Sequence, residues 1–84
     1  MGEKKKIGTV THYFGNIDVA AIMLDGSVSI GDNIRIEGAT TDFGMEVESM
    51  QVDRKDIDKG SKGQEIAIKV PKRVRENDEV FLVK

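Results

Sequence analysis

The sequence predicts an all-β protein, a small closed six-stranded β-barrel, and three observations carry that expectation. The apolar residues are mostly Ile, Val, Leu and Met, and β-branched side chains, stiff at their first torsion, suit a pleated surface better than a helix. Nine Gly and a single Pro punctuate 84 residues, which favours short strands joined by tight turns. Apolar segments recur at about the spacing of barrel or sandwich strands, and none has the length of a clear helix. For so few strands a closed barrel is preferred, because closure removes the edges that invite aggregation.

Residues 6–14 alternate weakly and place Gly8, Val10, His12 and Phe14 on one face of a first strand. After a Gly15-Asn16 turn comes the continuous apolar run Val19-Ala20-Ala21-Ile22-Met23-Leu24, expected of a strand covered on both sides or of a short buried helix, and Asp25-Gly26 ends it. Three later segments share a turn followed by alternating apolar positions: Ile30-Gly31-Asp32 into Ile34 and Ile36, Lys62-Gly63-Gln64 into Ile66 and Ile68, and Glu76-Asn77-Asp78 into Val80 and Leu82. Gly, or Asn in its place, tolerates a positive φ, and the polar side chain after it can bond the turn backbone before the strand begins.

Between Gly44 and Asp53 the apolar parity changes: Met45 and Val47 are odd, Met50 and Val52 even. A period of two cannot make that switch without an extra residue, so a bulge or sharp bend is expected near Ser49. Without a bend, Met50 and Val52 would lie outside and mark a partner surface. Residues 53–60 read as a charged loop carrying Ile57 back onto the core. Residues 1–5 read as a disordered basic tail, and residues 6–84 as a single domain.

Composition excludes much chemistry. The absence of Cys rules out disulfide frameworks and thiolate metal sites, and a lone His rules out a histidine cluster. No apolar run approaches a membrane span, and Lys4-Lys5-Lys6 is not followed by the apolar stretch of a signal peptide. A cytoplasmic protein is the resulting expectation. His12 reads as a polar residue at a strand end, not as a general base, since no nucleophile turn accompanies it. Asp53, Asp56 and Asp58 lack the spacing of a calcium loop and alternate with cations, as in a solvated loop. Met23, Met45 and Met50 read as core filler.

The formal charge of -2 conceals a lopsided chain. Residues 7–53 hold one cation, Arg35, against eight acids, whereas residues 54–84 hold nine cations against six acids. Lys69, Lys72, Arg73 and Arg75 cluster around Pro71, a group suited to a phosphate backbone or an acidic protein surface. The plain alternative is a solvated loop whose cations meet Glu76, Asp78 and Glu79 in weak surface pairs. A base-stacking sheet would need aromatic platforms, and Tyr13, Phe14, Phe43 and Phe81 are the whole aromatic supply.

Gly8-Thr9-Val10, Val19-Ala20, Ile30-Gly31-Asp32, Val47-Glu48-Ser49-Met50-Gln51, Asp56-Ile57, Gly60 and the segment from Lys62 to Ile68 follow in an order that resembles the β-barrel domain after the GTPase domain of translation factors such as elongation factor Tu. The chain also looks like the short stand-alone elongation factor-like proteins of prokaryotes, and it is similar to the C-terminal barrel of collagenase-like peptidases. These resemblances imply a Greek-key topology. In factors that deliver aminoacyl-tRNA, the corresponding loop implies a role at the acceptor end for Gln51, Arg54 and Lys55, although Gln51 stands where those factors carry an acidic residue. No phosphate loop is present, so nucleotide hydrolysis is excluded.

The expected function is a non-catalytic binding module without a cofactor. It would dock on RNA, the ribosome or the translation machinery through Gln51, Arg54, Lys55, Lys69, Lys72, Arg73 and Arg75. The alternative is a protein-interaction subunit of a separately encoded enzyme such as a collagenase-like peptidase.

Overall fold

All six apolar segments become strands, and residues left between them supply more. The computed structural model describes residues 4–83, which form ten strands and no helix. They are β1 (Lys4–Phe14), β2 (Val19–Leu24), β3 (Val28–Ser29), β4 (Asn33–Glu37), β5 (Asp42–Glu46), β6 (Met50–Val52), β7 (Lys55–Ile57), β8 (Lys59–Gly60), β9 (Glu65–Lys69) and β10 (Glu79–Val83). Eight lie in one antiparallel sheet ordered β5-β4-β10-β1-β2-β9-β6-β7, and β3 pairs with β8 in a separate two-stranded ladder. The expected tail is shorter than read, because Lys4 and Lys5 pair with Val83 and Leu82. Its residues 1–3 lie outside the described residues.

The expectation of a closed six-stranded barrel is corrected. No ladder joins β5 to β7, so hydrogen bonds do not close the sheet. The reason lies in β6, whose two edges are taken by β9 and by β7, leaving neither for β5. The chain itself bridges the gap: residues 47–49 run from β5, paired with β4, to β6, paired with β9. The parity switch read from the sequence sits in that connection. Val47 and Met50 are both 1% exposed while Glu48 and Ser49 between them face solvent.

β7 and β8 occupy the stretch read as a loop. Asp53 and Arg54 both have positive φ, 52° and 66°, as a two-residue type I′ hairpin turn requires. Neither is the Gly or Asn that usually announces such a turn. Ile57 nevertheless returns to the core as expected, opposite Met50.

The three strand lead-ins form as read. Gly31, Gly63 and Asn77 adopt φ of 92°, 90° and 74°. In each turn the next residue bonds back three positions with its backbone N–H, and its side chain accepts from the N–H of that same earlier residue. Asp32 Oδ2 thus accepts from Ser29 N at 2.9 Å, Gln64 Oε1 from Ser61 N at 2.8 Å and Asp78 Oδ2 from Arg75 N at 2.9 Å.

Two irregularities shape β1. Its register slips at Ile7 against β10 and at Thr11 against β2. The second slip overturns the single face expected for Gly8, Val10, His12 and Phe14: the first two are buried, whereas His12 and Phe14 turn outward and Tyr13 packs on the core. Inside, Ile22, Leu24, Ile34, Ile36, Ile68 and Val80 are at most 2% exposed, each burial contributing about 1.5–3 kcal/mol.

Close approach makes Gly8 irreplaceable: a Cβ there would lie 2.8 Å from Ile22 Cγ2 and 2.8 Å from the Met23 carbonyl oxygen. Gly8→Ala is expected to lower stability by about 1–3 kcal/mol through overpacking. Asn77→Ala should cost about 1 kcal/mol or more for its left-handed backbone, and Asn77→Gly should cost little or nothing. Urea midpoints at constant m-value measure both.

Candidate docking surface

The arrangement of β2 defines the surface. Ala20, Ile22 and Leu24 point inward, so Val19, Ala21 and Met23 point outward. The sequence expectation of cover on both sides is met on one side only among the described residues: Met23 remains 40% exposed.

Cross-strand register extends this outer face over neighbouring strands, since directly paired residues share a face. One row runs His12, Ala21, Ala67, Gln51 and Asp56 across β1, β2, β9, β6 and β7. On one side of it lies the row Phe14, Val19, Lys69, and on the other Thr9, Met23, Glu65. Two alanines therefore form a low centre between the larger Phe14 and Met23. Phe14 is 42% exposed, and Ile17 in the β1–β2 turn is 56% exposed. Polar side chains frame the patch and at one point cross it, where the Thr11 hydroxyl reaches over β2 to the Ala21 carbonyl and to Glu65 of β9. Thr11 Oγ1 donates to Glu65 Oε2 at 2.7 Å, Gln51 Nε2 donates to Asp56 Oδ1 at 3.0 Å, and the His12 ring meets Phe14 edge-on at 4.4 Å.

Of the seven residues singled out from the sequence, Gln51 and Lys69 lie on this face. Lys69, at the end of β9, and Lys72, Arg73 and Arg75, in the segment joining β9 to β10, are all exposed, because Val70 and Val74 take the buried positions. That segment is tied to the β1–β2 turn, where Val70 N donates to the Asp18 carbonyl at 2.9 Å and Tyr13 Oη donates to Asp18 Oδ1 at 3.1 Å. The acids thought to neutralise these cations do other work. Glu76 meets His12 at 3.3 Å, Asp78 is engaged in its turn and Glu79 pairs with Lys6 at 3.1 Å. Among the described residues, no ion pair involves Lys69, Lys72, Arg73 or Arg75.

Arg54 and Lys55 are not brought to this cluster. Because Met50 pairs with Ile68 and Gln51 with Ala67, the β6–β7 hairpin points its tip toward the Glu65 end of β9, away from Lys69. The two basic segments read as one surface thus occupy opposite ends of a strand. Among the described residues no group of three His, Asp or Glu side chains is placed to hold a metal. Met23, read from the sequence as core filler, is a surface residue instead, because the alternation of β2 turns it outward; for Phe14 and Ile17 the sequence carried no such signal.

No protein-family model matches the chain. It is 40% identical over 82 residues to an uncharacterized protease of Methanocaldococcus jannaschii, covering 96% of this chain and 20% of that protein. It is 33% identical over 81 residues to a collagenase of Porphyromonas gingivalis, covering 94% of this chain and 22% of that one. The chain thus spans about a fifth of the length of these curated relatives. Its fold matches the C-terminal domain of a Geobacillus thermoleovorans chain named as a U32 peptidase, with a TM-score of 0.88 at 16% identity over 93% of this chain and 91% of that one. These similarities correct the translation-factor resemblance and support the peptidase one. The misleading residues are those that make turns and close contacts: Gly8, the Ile30-Gly31-Asp32 turn and the 47–51 corner build the sheet and specify no ligand.

Partial burial, then the hydrogen bond to Asp18, raise the Tyr13 phenol above its usual range, against an opposing pull from Arg73. A raised native value means that its contribution is complete below the unfolded pKa of about 10 and is lost as pH rises through the native one. Tyr13→Phe is therefore expected to flatten the alkaline loss of stability in urea titrations. Since Tyr13 is the only tyrosine and there is no tryptophan, phenolate absorbance reports this group alone.

Proposed function

We propose that this chain is a non-catalytic accessory module of a collagenase-like peptidase, a part that docks on the body carrying the catalytic machinery. The observation that carries the reading is the two-faced apolar strand β2, covered by the core on one side and only partly covered on the other, where Met23 is exposed. A small domain has little apolar surface to spare, so outward apolar side chains gathered on one face are best used against a partner.

The similarities supply the class of partner. Nearly the whole chain aligns with about a fifth of proteins named as a protease and a collagenase, and its fold is that of a piece described as a C-terminal domain. The bound-partner role suits a sheet whose polar residues are spent on turns and framing hydrogen bonds. The exposed cations of residues 69–75 would steer that partner rather than perform chemistry.

Affinity capture with the tagged chain from native lysate, with and without ribonuclease, tests the reading. Recovery of a collagenase-like peptidase, identified by mass spectrometry and unaffected by ribonuclease, is expected. Recovery of ribosomal proteins lost on ribonuclease treatment, with no peptidase, would overturn it.

A further inference from the structure

We propose that the outer face of β1, β2 and β9 is the surface that seats the peptidase body, and that the body meets it with an apolar patch flanked on one side by carboxylates. This rests on the accessory-module reading and adds the surface and its chemistry.

The centre of the face fixes the apolar part. Ala21 and Ala67 are paired neighbours, partly buried, and their short side chains let a partner side chain approach the sheet backbone. Phe14 and Met23 stand on either side of them as exposed apolar anchors. A low centre with raised rims fits a protruding side chain, and aromatic and Met residues are the types enriched where interfaces are fully desolvated.

Charge fixes the orientation. Beside Phe14 and Val19 lies Lys69, followed by the exposed Lys72, Arg73 and Arg75, none in a side-chain ion pair among the described residues. At the other end, in the Met23 row, lies Glu65, bonded to Thr11. A partner with carboxylates opposite residues 69–75 and none opposite Glu65 fits in one direction only, because the reversed placement sets like charges together. The occupant follows from the relatives, in which this sequence accompanies about four times its own length of other chain.

Ala67→Glu tests the centre, because its cross-strand neighbours Ala21 and Gln51 are uncharged and the new carboxylate faces solvent in the free protein. Binding to the purified collagenase-like peptidase of the same cells is measured by calorimetry, with the urea midpoint of each variant checked for folding. The expected result is about thirtyfold weaker binding for Ala67→Glu, as for loss of a central anchor. Replacing Lys72, Arg73 and Arg75 together by Glu should slow association and remove most of its salt dependence, whereas Thr40→Lys, in the exposed β4–β5 turn, should bind as the wild type does. Wild-type binding that Ala67→Glu leaves unchanged would overturn the surface while leaving the accessory reading intact. Failure of the wild type to bind would overturn that reading. Self-association abolished by Ala67→Glu, without peptidase binding, would assign the face to a second copy of this chain and overturn the proposal.

Discussion

The fold depends on the corner at residues 47–49, where one continuous stretch of chain leaves one end of the sheet and joins the other. Val47 is held at this corner by two backbone hydrogen bonds, accepting from Gly31 N at 2.8 Å and donating to the Asp32 carbonyl at 2.9 Å. With Val47 fixed inward, the exposed pair Glu48 and Ser49 resets the alternation so that Met50 also enters the core. A strand of unbroken period two would send Met50 to solvent. The same turn that delivers Met50 to β9 places Gln51 on the outside, so the corner sets the composition of the outer face as well as that of the core.

Much of this was legible because it is local. The parity change around Ser49 and the positive-φ turns at Gly31, Gly63 and Asn77 follow from residue type and spacing alone. What could not be read depends on contacts distant in the chain. The slip at Thr11 is a choice between registers against β2, and no residue near it signals the choice. The β6–β7 hairpin turns on Asp53 and Arg54, both left-handed, a conformation that Asp tolerates but that is uncommon for a long side chain such as Arg54. Open ends of the sheet follow from that hairpin, since β7 takes the edge of β6 that a closed barrel would need.

The candidate site was legible in part, for a related reason. The apolar run of β2 announced a strand wanting cover on both faces, but a sequence cannot say whether the second cover belongs to the same chain. The basic cluster at residues 69–75 was visible, yet its freedom from Glu76, Asp78 and Glu79 was not. Those acids are drawn away by His12, by the Asn77 turn and by Lys6, all fixed by tertiary placement. Arg54 and Lys55 looked like companions of that cluster only because strand direction was unknown.

The two halves of the surface act over different ranges, which is why both are needed. Exposed charges are screened within about 8 Å at physiological ionic strength, so the cations of residues 69–75 guide approach and orientation but contribute little once salt is present. The apolar centre acts only on contact and carries no direction of its own, since alanine, phenylalanine and methionine accept many neighbours. Joined on one face, with Lys69 at one end of β9 and Glu65 at the other, they give a surface that is polar in layout and apolar in substance. The net charge of -2 hides this, because a sum over the chain carries no positions. A partner approaching β9 meets the local pattern and not the sum.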